Sequence, residues 1–230
     1  MDTLRKSLPS IITSISLCLG MASIALSIEG SLGIAATLIM ASYLLDLVDG
    51  ALARRLGVCS EFGVQLDSLV DIINFGVGST VLVWSHLRQG GLESWLLWPL
   101  GIFFVLAGAL RLARFNLAAS DTKPMESLGL TISTSGAYIT LAVLADRAFE
   151  RGLLPDASFL VLLPVLTFLM VSRIRFPELK AIFGRRRMSL ALLSTSVIVA
   201  IWLTPQVVWW GLTTGYISFS LLRAGYRMLM

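Results

Sequence analysis

The sequence predicts an all-α integral membrane protein: a polytopic bundle of about eight transmembrane helices, formed as a single domain over residues 1–230. Three observations predict it. Hydrophobic residues make up 56 % of the chain and charged residues only 14 %, where a soluble domain carries about 25 %. Mean hydropathy is +0.84, and the apolar residues are gathered in long blocks, several reaching the roughly 20 residues that a helix needs to cross hydrocarbon. The short alternating strands of a membrane β-barrel do not occur in the pattern.

The blocks, in order, give the expected spans. The first, near 9–28, follows Arg5 and Lys6 as a signal peptide would. No small-x-small cleavage site closes it and further spans follow, so it reads as a first spanning helix. Spans near 32–55 and 64–86 are joined by the short link Leu56 to Phe62, which brings their ends to one membrane face. Further spans fall near 95–116, 128–148, 157–173, 188–204 and 206–224, the last two meeting around Thr204-Pro205 as a helical hairpin. Tryptophans 84, 95, 98, 202, 209 and 210 sit near span ends, as an aromatic belt does. Cys18 and Cys59 lack paired spacing and read as buried free thiols. His86, the single histidine, is expected at the interface on the face opposite the acidic residues.

Basic residues set the orientation. With eight spans, all but three of the 18 Lys and Arg residues fall on one side; the exceptions are Arg88, Arg147 and Arg151. That side is expected to be cytoplasmic, with both termini on it and the chain in the cell inner membrane. The net charge of +4 therefore reflects topology, and no nucleic-acid partner is expected. The basic run Arg173 to Arg187 has two readings, orientation alone or contact with anionic lipid headgroups.

Four carboxylates interrupt the apolar pattern between residues 46 and 71. Asp46 and Asp49 are spaced i, i+3 and share a helix face, which Gly50 and Ala53 continue. Small residues there let a ligand or a neighbouring helix approach the backbone. Asp67 and Asp71 are spaced i, i+4 on the next helix. Two facing helices thus converge four carboxylates on one pocket. Ionised carboxylates inside a membrane are costly unless paired or bound to a cation. Oxygen ligands without His or Cys favour a hard divalent cation over zinc. The simpler alternative is a set of carboxylates reaching to the interface and pairing with Arg54 and Arg55.

The full pattern is Asp46-x-x-Asp49-Gly50-x-x-Ala53-Arg54, eight residues, then Gly63-x-x-x-Asp67-x-x-x-Asp71. It resembles the signature of the CDP-alcohol phosphotransferases, membrane enzymes that move a phosphoalkyl group from a CDP-linked donor to an alcohol. The resemblance implies that Asp46, Asp49 and Asp67 are the main metal ligands. Asp71 would complete the site and act as general base on the acceptor hydroxyl. Gly50, Ala53 and Gly63 would line the cytidine pocket, and Arg54 would support it. Two divalent ions, Mg²⁺ or Mn²⁺, suit such chemistry by stabilising attacking and leaving oxygens together.

Three further segments are similar to the phosphatidylserine synthase branch of that family. One is Arg111-Leu-Ala-Arg114-Phe-Asn116, whose cationic and amide groups could hold donor phosphates or an amino-acid carboxylate. For the two arginines the alternative is topological anchoring, and for Asn116 a helix C-cap. The others are Leu8-Pro9 with Thr13 and Gly20, and Met170 to Lys180. The branch usually has Asn where this chain has Ser10 and Ser16, and Gly-Leu-Pro where it has Gly129-Leu130-Thr131. The implied partners are CDP-diacylglycerol, L-serine and membrane lipids, with cytidine monophosphate released and a homodimer as the working state. Sister transferases acting on glycerol 3-phosphate, inositol phosphate or choline are the nearest alternative. A cation transporter is the alternative of another class, although its site would be expected near the bilayer midplane.

Overall fold

The computed structural model describes residues 2–58, 60–92, 95, 97–118, 126–149, 152–177 and 205–229. It is helical almost throughout. The elements are α1 (Asp2–Ile28), α2 (Leu32–Leu56), α3 (Glu61–Asp71), a π-helical stretch (Ile72–Gly78), α4 (Ser79–Gln89), α5 (Leu97–Ala118), β1 (Glu126–Leu128), α6 (Ile132–Arg147), α7 (Asp156–Val171), β2 (Arg175–Pro177) and α8 (Pro205–Leu229). Among the described residues, four helical stretches are long and apolar enough to cross a membrane: Ser7–Ile28, Leu32–Leu56, Glu61–Gln89 and Leu97–Leu117. Asp156–Val171 is apolar but shorter. The expected span near 188–204 lies outside the described residues. The structure thus supports a multi-pass helical membrane protein.

The helix ends explain why the acidic motif comes together. Gly57 takes the left-handed conformation (φ 66°), and the chain reverses there, with Gly57 N–H bonding to Arg54 O and Val58 N–H to Ala53 O. Ser60 then caps α3, its hydroxyl accepting from Gly63 N–H. Stop and start signals three residues apart make a tight hairpin of the two halves of the motif.

The π-helical stretch continues α3 into α4 and leaves its backbone ladder irregular. Ser79 Oγ donates to Phe75 O, and Thr80 Oγ1 donates to Gly76 O at 2.8 Å. The neighbours of the stretch are α1 and α2 on one side and α6 on another. Against α6 the approach is very close: a Cβ on Gly136 would lie 2.4 Å from Phe75 O. Ile132 fills a slot between Gly76 and Gly108, so α6 is wedged against both the π stretch and α5. Leu32, Phe75, Phe104, Ile132, Ile139 and Phe159 belong to the buried core. Large apolar residues such as Ile15, Leu44, Phe103 and Phe168 are exposed, as lipid-facing positions are.

Several features differ from expectation. Residues 126–128 are a strand, not the start of a span, and pair antiparallel with β2, Ser127 opposite Phe176. Gly129 (φ 74°) packs on the end of α7 and donates to Ile174 O, while Leu130 N–H bonds to Leu169 O. That clip moves the beginning of α6 to Ile132. Cys18 is exposed rather than buried, because it lies on the outer face of α1; Cys59 lies outside the described residues. His86, in the last turn of α4, is buried. Its Nε2 is 3.0 Å from Asp146 Oδ2, and Asp146 Oδ1 accepts from Leu153 and Leu154 N–H at 2.7 Å each. The pair therefore ties α4 to α6 and to the turn before α7.

Candidate active site

The hairpin of α2 and α3 brings three of the four aspartates into one cluster. One carboxylate oxygen each from Asp46, Asp49 and Asp67 lies within 4.8 Å of the others. Octahedral Mg²⁺ holds oxygens at about 2.1 Å, which puts ligand oxygens roughly 3–4 Å apart. The donor set therefore fits a hard divalent cation with small side-chain movement, and among the described residues no nitrogen or sulfur ligand joins the cluster. Asp71 is not in this trio. It sits one turn further along α3, 8 % exposed, within electrostatic reach of Asp46, Asp49 and Asp67. Its Oδ2 accepts a hydrogen bond from Ser133 Oγ at 3.0 Å.

Other elements complete the surroundings. Asp49 is 3 % exposed and accepts from Thr13 Oγ1 of α1 at 2.6 Å. Arg54 folds back along α2, its guanidinium 3.4 Å from where a Cβ on Gly50 would stand, and acts electrostatically on Asp49 and Asp67. Ala53 is half-buried on the same helix, and Gly63 lies at the start of α3 with its N–H on Ser60.

The α5 residues point three ways. Arg111 is 5 % exposed and turned inward, within electrostatic reach of Asp71. Arg114 Nη2 reaches Leu128 O of β1 at 3.4 Å, so it braces the strand clip. Asn116 is not a helix cap, since α5 continues to Ala118; its Nδ2 donates to Ser68 Oγ at 3.0 Å, beside Asp67.

Sequence reasoning gave little weight to four residues that the structure places at or just below the cluster. Thr13 and Ser133 bond to aspartates directly. Tyr43, three residues before Asp46, lies within reach of Asp46 and Asp71 and shares a hydrogen bond with Thr134. Asn74 is fully buried in the π stretch and donates to Ser16 O at 3.0 Å and to Ser42 Oγ at 2.6 Å. Its Oδ1 occupies the space that a Cβ on Gly20 would need. Ser16 on α1 thus meets an amide arriving from the facing helix. The signal available in sequence was the spacing of Asn74, i+3 from Asp71.

The matching of this chain to known proteins follows the same lines. The family model described as CDP-alcohol phosphatidyltransferase matches residues 6–171, and the chain belongs to that family. It is 32 % identical over 229 residues to a protein of Helicobacter pylori named CDP-diacylglycerol–serine O-phosphatidyltransferase, covering 96 % of this chain and 92 % of that one. Archaetidylserine synthase of Methanothermobacter thermautotrophicus is 32 % identical over 174 residues, covering 75 % of this chain and 70 % of its own length. A CDP-diacylglycerol–serine O-phosphatidyltransferase of Mycobacterium tuberculosis is 30 % identical over 218 residues, with 91 % of this chain and 75 % of that one covered.

Proposed function

We propose that this protein is a CDP-diacylglycerol–serine O-phosphatidyltransferase. The observation that carries the reading is the Asp46, Asp49 and Asp67 cluster with Asp71 one turn beyond it, inside a chain similar over almost its whole length to enzymes of that name. Asp46, Asp49 and Asp67 would hold two divalent ions, Mg²⁺ or Mn²⁺, with Asp71 completing the acidic site. The ions would supply charge stabilisation for the diphosphate of the donor.

The remaining work falls to the chain's own side chains. Asp71 takes the proton from the serine hydroxyl. The freed oxygen bonds to the phosphorus carrying the diacylglycerol, the bond from that phosphorus to the bridging oxygen breaks, and cytidine monophosphate leaves. Arg111, inward and close to Asp71, offsets negative charge around the acceptor. Gly50, Ala53 and Gly63 line the nucleotide side, with Arg54 over Gly50. Asn116 positions Ser68 and hence the turn of α3 that carries Asp67, and Arg114 holds the adjoining β1.

Eight spans, the cytoplasmic placement of the site and both termini, residence in the inner membrane, a single domain and a homodimer complete the proposal. The basic residues support the orientation, all but three of them falling on the side of the acidic motif. The test uses purified protein in detergent with CDP-diacylglycerol and Mn²⁺, offered serine, glycerol 3-phosphate, inositol phosphate or choline separately. Cytidine monophosphate is expected with serine alone. Release with another alcohol would reassign the acceptor, and release with none would remove the transferase reading.

A further inference from the structure

We infer that Ser133 is a positioning residue for this reaction, its hydroxyl tying one oxygen of Asp71 to α6 so that the other is turned to the alcohol. The inference rests on the reading of Asp71 as the base. A carboxylate on its own turns freely, because the torsion at its terminal bond is broad and nearly two-fold. A base must instead present one lone pair at hydrogen-bond distance from the proton it removes. The 3.0 Å bond from Ser133 Oγ to Asp71 Oδ2 removes that freedom.

Ser133 is brought there by construction at three points. Thr131 caps α6 through Thr134 N–H at 3.2 Å, so Ser133 stands in the first turn, where the helix favours a negative neighbour. The strand clip and Gly129 fix where that turn begins. One turn deeper, Gly136 lets α6 touch the backbone of Phe75, four residues beyond Asp71. Asp71 to Ser133 and Phe75 to Gly136 are thus successive rungs of one contact, and the lower rung sets the distance of the upper. Ile132, wedged between Gly76 and Gly108, ties the same junction to α5, three residues before Arg111.

Ser133→Ala, Ser133→Cys and Ser133→Thr decide the matter. Cytidine monophosphate release is measured against serine and against CDP-diacylglycerol, with melting temperature and Mn²⁺ dependence recorded for each variant. Outer partners of metal-site ligands cost about 10–100-fold when removed. Alanine and cysteine, the latter keeping volume but offering a weak donor, are expected to lower kcat about tenfold, with KM for CDP-diacylglycerol unchanged. Threonine, which keeps the hydroxyl, is expected to restore kcat to within about twofold. Full kcat in the alanine or cysteine variant overturns the assignment. So does a threonine variant as slow as alanine, which makes packing the cause, or a loss confined to KM. A wild type that releases no cytidine monophosphate sinks the function itself, an outcome distinct from an active wild type with an equally active Ser133→Ala.

Discussion

Replacing Thr13 by Val tests whether α1 belongs to the metal site or merely packs beside it. Thr13 and Asp49 are 5 % and 3 % exposed, and their oxygens are 2.6 Å apart. The substitution keeps the branched shape and deletes the donor. A hydrogen bond to a charged group contributes about 1.5–3 kcal/mol, and a buried acceptor left without a donor incurs a desolvation cost of similar size. Expressed wholly in the arrangement that binds metal, that energy corresponds to roughly 10–150-fold. The expected result is at least a tenfold rise in the Mn²⁺ concentration giving half-maximal cytidine monophosphate release, together with a lower melting temperature in metal-free buffer. Ser14→Ala is the control, because that hydroxyl is exposed and bonds only to Ser10 O among the described contacts; it should leave both readings unchanged. A Thr13→Val protein with wild-type metal dependence and wild-type melting would refute the coupling of α1 to Asp49.

The remaining expectations use the same purified protein. Asp71→Asn keeps shape without basicity and should lower turnover by at least about 10²-fold while donor binding, followed by retention on CDP-diacylglycerol micelles, persists; near-normal turnover would strip Asp71 of its role. Gly136→Ala would set a methyl 2.4 Å from Phe75 O, and overpacking of that kind destabilises by about 1–3 kcal/mol, so thermal unfolding should begin several degrees lower; an unchanged melting curve contradicts the close contact. Asp146→Ala removes partners from His86 and from two backbone N–H groups, a loss of about 1 kcal/mol for each bond. Stability should fall while kcat, measured below the melting range, stays at the wild-type value. Chelation by EDTA should abolish release, and Mn²⁺ or Mg²⁺ should restore it; full activity after exhaustive chelation would exclude the acidic cluster from catalysis.

Much of this was legible in the sequence because the acidic motif is local. Asp46, Asp49 and Asp67 lie on two helices joined by Gly57 and Ser60, so helical spacing and a short link were enough to bring them together. Asp71 shows the limit of spacing arguments: i+4 put it on the right face but could not say that its carboxyl is held by α6 rather than gathered with the other three. Ser133, 62 residues away, and Thr13, 36 residues before Asp49, carry no periodic signal that distinguishes them from other small hydroxyl residues in apolar helices. Arg111, Arg114 and Asn116 were read as one group because they are neighbours in the chain. A helix turns about 100° per residue, and that rotation sends them to Asp71, β1 and α3 respectively. The strand clip escaped notice because three-residue strands leave no alternation to detect.

The widened turn between Ile72 and Gly78 has a consequence for the molecule's tolerance of change. A π turn holds one residue more than plain α-helix would need. Deleting one residue there should let the rod anneal to plain α-helix. Taking up that residue's worth of winding, about 100°, would swing the aspartate end out of phase with the half that grips Asp146, and the protein would lose its catalytic alignment through a defect beneath the chemistry.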